Sequence, residues 1–295
     1  MGRLPNSVAL SESDPLLATG PRYSVVVPAF NEEFYIGDCL RSLNRQDYRG
    51  EVEVIVVDNN STDRTAQVAR ELGATVVFEP RPGVCFARQS GTEVARGKII
   101  VSTDADTTFD AGWLSRIDDS FRRYPTAVAV AGPCRFVRAP RWGAIYPTLL
   151  FGLVHLVRRV TGRVFYISAT NIAFRKSEFS GYDTRLTQGG DEVDLLRRLR
   201  SRGKVVFDRG NASLTSSRRL EQGLVYNFFV TFVYYYLMAY WLNRLFRRPV
   251  LGMAPAFRSD PGAVRGRARR IARTTAIVAV VAIIGWLSID FDALL

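Results

Sequence analysis

Three apolar runs rich in β-branched residues, at 25–27, 54–57 and 99–101, each break off into polar and acidic residues. The first two of those clusters open directly onto helical stretches, and the third follows one. A short apolar run bounded by such a cluster marks a buried strand. Strands alternating with helices require parallel pairing through right-handed crossovers, and ligands of such sheets sit beyond the carboxyl ends of the strands. All three clusters should therefore share one rim. The expected class is α/β, a mixed and mostly parallel sheet flanked by helices.

The first cluster is Val27-Pro28-Ala29-Phe30-Asn31-Glu32-Glu33. Pro28 is expected to stop its strand, with Asn31 as N-cap and Glu32 and Glu33 in the first turn of a helix to about Leu43. The second, Asp58-Asn59-Asn60-Ser61-Thr62-Asp63, precedes a helix over 65–72. A helix over 83–97 carrying Arg88 leads to the third strand and to Ser102-Thr103-Asp104-Ala105-Asp106. Alternate residues of a strand end point the same way, so Asp104 and Asp106 are expected to aim two carboxylates at one point. That suits a hard divalent cation which keeps some of its water and takes further ligands from a substrate phosphate. The same acids also fit a turn capping a helix that starts near Asp110.

The ordered series resembles the inverting glycosyltransferases of family 2, which have the GT-A nucleotide-sugar fold. It comprises Val27 to Glu32, Val57 to Asp63, Ala87-Arg88-Gln89-Ser90-Gly91, Asp104-Ala105-Asp106, Thr170-Asn171-Ile172-Ala173-Phe174-Arg175 and Gly190-Asp191-Glu192-Val193-Asp194-Leu195, across roughly residues 22–210. The resemblance implies that Pro28, Phe30 and Glu32 line the nucleotide, that Asp58 and Asn59 meet base and ribose, and that Arg88 lies near the diphosphate. It also implies that Asp106 ligates Mg2+ or Mn2+, that Asp104 reaches the ribose or a metal-bound water, and that Asn171 lies on the acceptor or sugar side. Two departures bear on which nucleotide is bound: Asn59 stands where the family often has a second acid, and Gln89 replaces a frequent asparagine.

Family members carry an acidic pair whose second member deprotonates the acceptor. Here the order is Asp191-Glu192, and registering on Val193-Asp194-Leu195 puts Glu192 in the base position. A base must reach the attacking oxygen, and a carboxylate there also stabilises an oxocarbenium-like state. Asp191 fits equally well as N-cap of a helix over 192–201. Asp194 is expected to face solvent or to pair with Arg197 or Arg198.

The chain has three widely spaced cysteines, Cys39, Cys85 and Cys134, and one histidine, His155. The cysteines match no metal spacing and suit small core positions in a reducing compartment, while the lone histidine argues against a zinc site or a serine triad. A mobile leader over 1–20, a catalytic domain over 21–215 and a membrane-associated region over 216–295 are expected.

That last region holds most of the surplus charge. Residues 244–273 carry nine arginines and one acid, Asp260, a large part of the net charge of +12. The run 222–243 before them is uncharged and aromatic, and the run 274–289 after them is apolar. Keeping the arginines on the cytoplasmic side favours an interfacial helix at 222–243 and a single transmembrane helix at 274–289, short for the ~20 residues a span needs. The stretch 142–157 is expected to be a core helix or an interfacial one. No nucleic-acid recognition motif accompanies the charge, so nucleic acid is not an expected partner. The expected protein is a metal-dependent glycosyltransferase of the cytoplasmic membrane face, moving sugar from a UDP- or GDP-sugar to a hydroxyl on a lipid-linked or glycan acceptor. A polyprenyl-phosphate acceptor and a non-catalytic nucleotide-binding scaffold are the alternatives.

Overall fold

The computed structural model of the protein describes residues 20–184, 191–227 and Phe246. The expected leader, Gly189 and Gly190, residues 228–243 of the aromatic run, the basic segment apart from Phe246 and the apolar run 274–289 lie outside the described residues.

Seven strands form the central sheet. β1 (Tyr23–Ala29), β2 (Val52–Asp58), β3 (Thr75–Phe78) and β4 (Ile99–Ser102) alternate with α1 (Ile36–Asn44), α2 (Thr65–Glu71) and α3 (Val84–Val94). After β4 come β5 (Thr107–Thr108), α4 (Trp113–Arg123), β6 (Ala127–Ala131), β7 (Cys134–Val137), α5 (Arg141–Thr161), β8 (Ile172–Arg175), α6 (Asp191–Arg202), β9 (Lys204–Phe207) and β10 (Ser213–Ser216). The sheet order is β3-β2-β1-β4-β8-β6-β9. β1, β2, β3 and β4 run parallel, whereas β8 is antiparallel to both β4 and β6. A second sheet, β5-β10-β7, lies after the β4 turn.

The apolar runs are continuous because both sheet faces are covered. Tyr23, Val25 and Val27 enter one buried cluster with Ile36, Leu40 and Trp113. Val26, Ile55, Val57 and Ile100 enter the other with Ala87, Phe151 and Leu196. Successive side chains thus serve opposite layers. Gly91 lets α3 approach closely, since a Cβ there would lie 2.8 Å from Val57 Cγ2 and closer still to Val26 Cγ1.

Two expectations are corrected and two are refined. Pro28 does not stop β1, which continues to Ala29 paired with Asp58. Pairing with β4 ends at Val26–Ser102, so Pro28, facing that side, gives up no ladder bond by lacking a donor. Asn31 does not cap α1, which begins at Ile36. It sits at φ 53°, its N–H donating to Ser61 Oγ and its Oδ1 accepting from Thr62 N at 2.7 Å. The turn after β1 is thereby tied to the turn after β2. The helix placed near Asp110 starts at Trp113. The uncharged stretch 142–157 belongs to the longer α5, whose Gly143, Pro147, Phe151 and Val154 are buried. Among the described residues no helix is long and apolar enough to cross a membrane.

Candidate active site

The carboxyl ends of β1, β2 and β4 bring the three polar clusters to one rim, as the alternation required. The β4 end differs from expectation. The strand stops at Ser102, and Thr107 N donates to Asp104 O at 3.1 Å, closing a turn over Asp104-Ala105-Asp106. The turn sends the two carboxylates to different cations. Asp104 Oδ1 accepts from Arg88 Nη2 at 2.6 Å, and Asp106 Oδ2 accepts from Arg218 Nη2 at 2.9 Å. Asp106 is held further by Thr215 Oγ1 at 3.3 Å and by Ser216 N, which donates to its carbonyl at 3.1 Å. Desolvation pushes the Asp106 carboxyl up to about 6, with Arg218 opposing and the charges of Asp104 and Glu32 adding.

Arg218 also donates to Glu32 Oε1 at 2.6 Å, and its guanidinium lies 4.5 Å from the Tyr35 ring centroid. Two carboxylates from separate turns therefore grip one cation. Both are hard oxygen donors, and among the described residues no group of three or more His, Cys, Asp or Glu is placed to hold a metal ion; an ion at this rim would depend on further ligands from outside the protein. Such an ion would draw its remaining ligands from water and phosphate.

Arg88, on α3, is buried and joins the rim to α6. Its Nη1 donates to Asp191 Oδ2 while Nη2 holds Asp104. Both terminal nitrogens are thus committed, so Arg88 braces two carboxylates beneath the rim. Beside Asp191 stands Glu192, also buried. Burial, then the charge and hydrogen bond of Asp191, raise the Glu192 carboxyl well above the usual carboxylate range. Among the described residues it is Asp191, not Glu192, that is paired with a guanidinium. Asp194 pairs with Arg197 at 2.7 Å and Arg198 at 2.5 Å, buried rather than solvated.

The nucleotide-side residues divide. Phe30 is 36% exposed at the end of β1, next to Pro28. Asp58 accepts from Ser61 N through Oδ1 at 3.0 Å. Asn59 braces the loop after β3. Its Nδ2 donates to Glu79 O at 2.9 Å and Arg81 O at 2.7 Å, and its Oδ1 accepts from Gly83 N at 2.8 Å. Asn171 is a second buried amide. It is 1% exposed, accepting from Trp113 Nε1 and donating to Pro133 O and Asn211 O. Its amide ties α4 to the loops around Gly132.

Sequence reasoning missed Glu79 and Arg218. Arg81 holds the Glu79 carboxyl down at about 2, with Ser90 and the Arg81 N–H assisting. That pair shapes the loop which Asn59 and Asn60 support from below. No local motif marks either residue. Arg218 is 112 residues from Asp106, and only the pairing of β10 with β5 brings it there.

The sheet order and the acid-lined rim define a class, a glycosyltransferase of GT-A architecture. The sequence model of glycosyl transferase family 2 matches residues 24–181, and the chain belongs to that family. An uncharacterized glycosyltransferase of Mycobacterium bovis is 43% identical over 98 residues, covering 33% of this chain and 43% of that protein. A 4,4'-diaponeurosporenoate glycosyltransferase of Staphylococcus haemolyticus is 53% identical over 90 residues, or 28% of this chain and 24% of that one. The chain thus spans less than half the length of these curated relatives. The mannosyltransferase PcManGT of Pyrobaculum calidifontis, solved with GDP-Man and Mn2+, shares the fold at a TM-score of 0.55 and 21% identity, over 93% of this chain and 80% of that one.

Proposed function

We propose that the protein transfers a sugar, with inversion, from a UDP- or GDP-sugar to an acceptor hydroxyl at the cytoplasmic face of the cell membrane, with the help of Mg2+ or Mn2+. The observation that carries the reading is the pair of linked charge clusters at one rim. Glu32 and Asp106 grip a cation, and Asp104, Arg88 and Asp191 run from there to Glu192. A divalent ion, when bound, neutralises the charge that develops on the leaving diphosphate. Asp106 would hold it, with Asp104 directed to the ribose or to a metal-bound water. Phe30 offers a ring beside the nucleotide, and Asp58 an acceptor to it. Arg88 holds Asp191 in place. Glu192 removes the acceptor proton at its carboxylate, and its raised pKa makes it a stronger base than an ordinary glutamate.

Asp106→Asn tests the reading. Slow Mn2+-dependent release of UDP or GDP from nucleotide sugars is expected in the wild type and to fall roughly 10²–10³-fold in the variant, the usual loss when one electrostatic stabiliser is removed. Unchanged hydrolysis would remove Asp106 from the metal site.

Support for the membrane comes from α5 and from the basic segment. Ile145, Leu149, Leu153, Leu156 and Val160 are all at least half exposed. Their spacing places them along one stripe of the helix. Arg141 stands at one end, with Arg158 and Arg159 at the other. An amphiphilic acceptor would find on this stripe an apolar surface to rest on. The Staphylococcus haemolyticus relative, named for a 4,4'-diaponeurosporenoate acceptor, supports that acceptor class. Leu149→Glu with Leu153→Glu should weaken sedimentation of the full chain with phosphatidylglycerol vesicles about tenfold or more, while donor hydrolysis persists. Equal sedimentation of the variant would take α5 out of the membrane contact.

A further inference from the structure

Arg218 touches both Glu32 and Asp106, and it enters from a third part of the chain. Its Nη2 serves both carboxylates, at 2.6 Å and 2.9 Å. Its side chain is 20% exposed, and its guanidinium is packed on Tyr35. Ser217 and Arg219 flank it on a segment anchored by β10, with Leu220 N donating to Ser217 O at 2.7 Å. The backbone is therefore held, while the guanidinium sits at the end of a long side chain.

An ion on Asp106 Oδ2 and the Arg218 nitrogen that donates to the same oxygen exclude one another, sterically and by charge. An ion arriving alone must push the guanidinium off Asp106, leaving it only Glu32 and setting two cations side by side in a partly buried site, which is costly. An ion arriving with a nucleoside diphosphate brings new anionic oxygens, and an arginine fork suits phosphate oxygens. The displaced guanidinium then regains a partner within reach of the rim.

We propose that Arg218 is an internal counter-ion that holds the metal site closed in the free enzyme and passes to the diphosphate when ion and nucleotide bind together. This rests on the assignment of Asp106 to the metal. Ion and nucleotide binding are thereby coupled, each strengthening the other by the same factor. The coupling is a property of this arginine rather than of the ion's direct contact with the diphosphate alone.

The test is Mn2+ binding to the full chain, read from the electron paramagnetic resonance of the free ion, with and without GDP or UDP, together with nucleotide binding by calorimetry. The wild type should bind Mn2+ weakly alone and much more tightly with nucleotide. Arg218→Met should bind Mn2+ alone about tenfold more tightly, and bind GDP or UDP in the presence of Mn2+ about tenfold more weakly. A residue that merely supports the fold cannot sharpen ion affinity when removed, so the rise is diagnostic. Arg218→Lys, which keeps the charge without the fork, should stay closed to Mn2+ alone yet lose nucleotide affinity, and it serves should the methionine variant fail to fold. Mn2+ affinity that is unchanged or lower in Arg218→Met overturns the proposal, as does unchanged nucleotide affinity in Arg218→Lys. Asp106→Asn separates the two ideas. If it abolishes Mn2+ binding while Arg218→Met has no effect, the metal site stands and the counter-ion does not. If it leaves Mn2+ binding intact, the metal assignment itself is wrong and the counter-ion falls with it.

Discussion

Glu192→Gln is expected to lower turnover by about 10²–10⁴-fold, the range a positioned general base contributes, with donor binding intact. Glutamine keeps the shape and removes only the ability to take a proton. The pH dependence should change with it. In the wild type, burial and Asp191 hold the Glu192 carboxyl well above the ordinary range, so kcat/KM should rise with pH through that raised value. The acid limb should lie clearly above the pKa of a free glutamate and disappear in the variant's residual activity.

Stability has the opposite sign. A carboxyl whose folded pKa exceeds its unfolded value contributes stability below the unfolded pKa and loses it as pH rises through the folded one. The variant cannot ionise, so at alkaline pH it should unfold no more easily than the wild type. A pH–rate profile and thermal unfolding over the same range check both halves. Near-normal transfer by Glu192→Gln would instead point to an acceptor that is already an anion, such as a polyprenyl phosphate, which needs little base assistance.

Arg88→Met should be the most destabilising of the substitutions considered, by about 3–5 kcal/mol, because it strips the partner from a buried charge. Arg88 and Asp191 are both buried, with side chains 4% and 5% exposed. Asp104 is more open and can regain water. The melting temperature should fall on the order of 10 °C for a domain of this size. Arg88→Met combined with Asp191→Asn should recover part of the loss, since the neutral amide no longer needs the guanidinium. Urea unfolding of the two single variants and the double variant measures the coupling. A normal melting temperature with weakened GDP or UDP binding would mean that Arg88 serves the diphosphate directly and that its two carboxylate contacts are incidental.

Much of this arrangement was legible in the sequence, and the failures share one cause. The strands around Val25, Ile55 and Ile100 announce themselves by unbroken β-branched runs, and the helices by the polar turns before them. Asp191 and Glu192 are legible as a pair because they open an amphipathic helix. Asn31 misled because an amide in a turn looks the same whether it caps a helix or bonds to a distant segment, and the buried bonds of Asn59 and Asn171 were invisible for the same reason. Asn31 bonds to residues 30 and 31 positions away, and Asn171 to one 58 positions away. The paired aspartates misled more subtly. A strand would have aimed them together, but the turn that ends β4 gives each its own arginine.

Local residue preference and hydrophobic pattern, acting over a few neighbours, were enough to determine the layered α/β architecture, the rim where the polar clusters gather and the acidic character of the site. Which carboxylate takes Arg88 as its partner, which has its pKa raised by burial, and which arginine lies between Glu32 and Asp106 were decided by tertiary structure alone. Those properties depend on desolvation and on charges brought within a few ångströms from segments as many as 186 residues apart, and neither exists until the chain has folded.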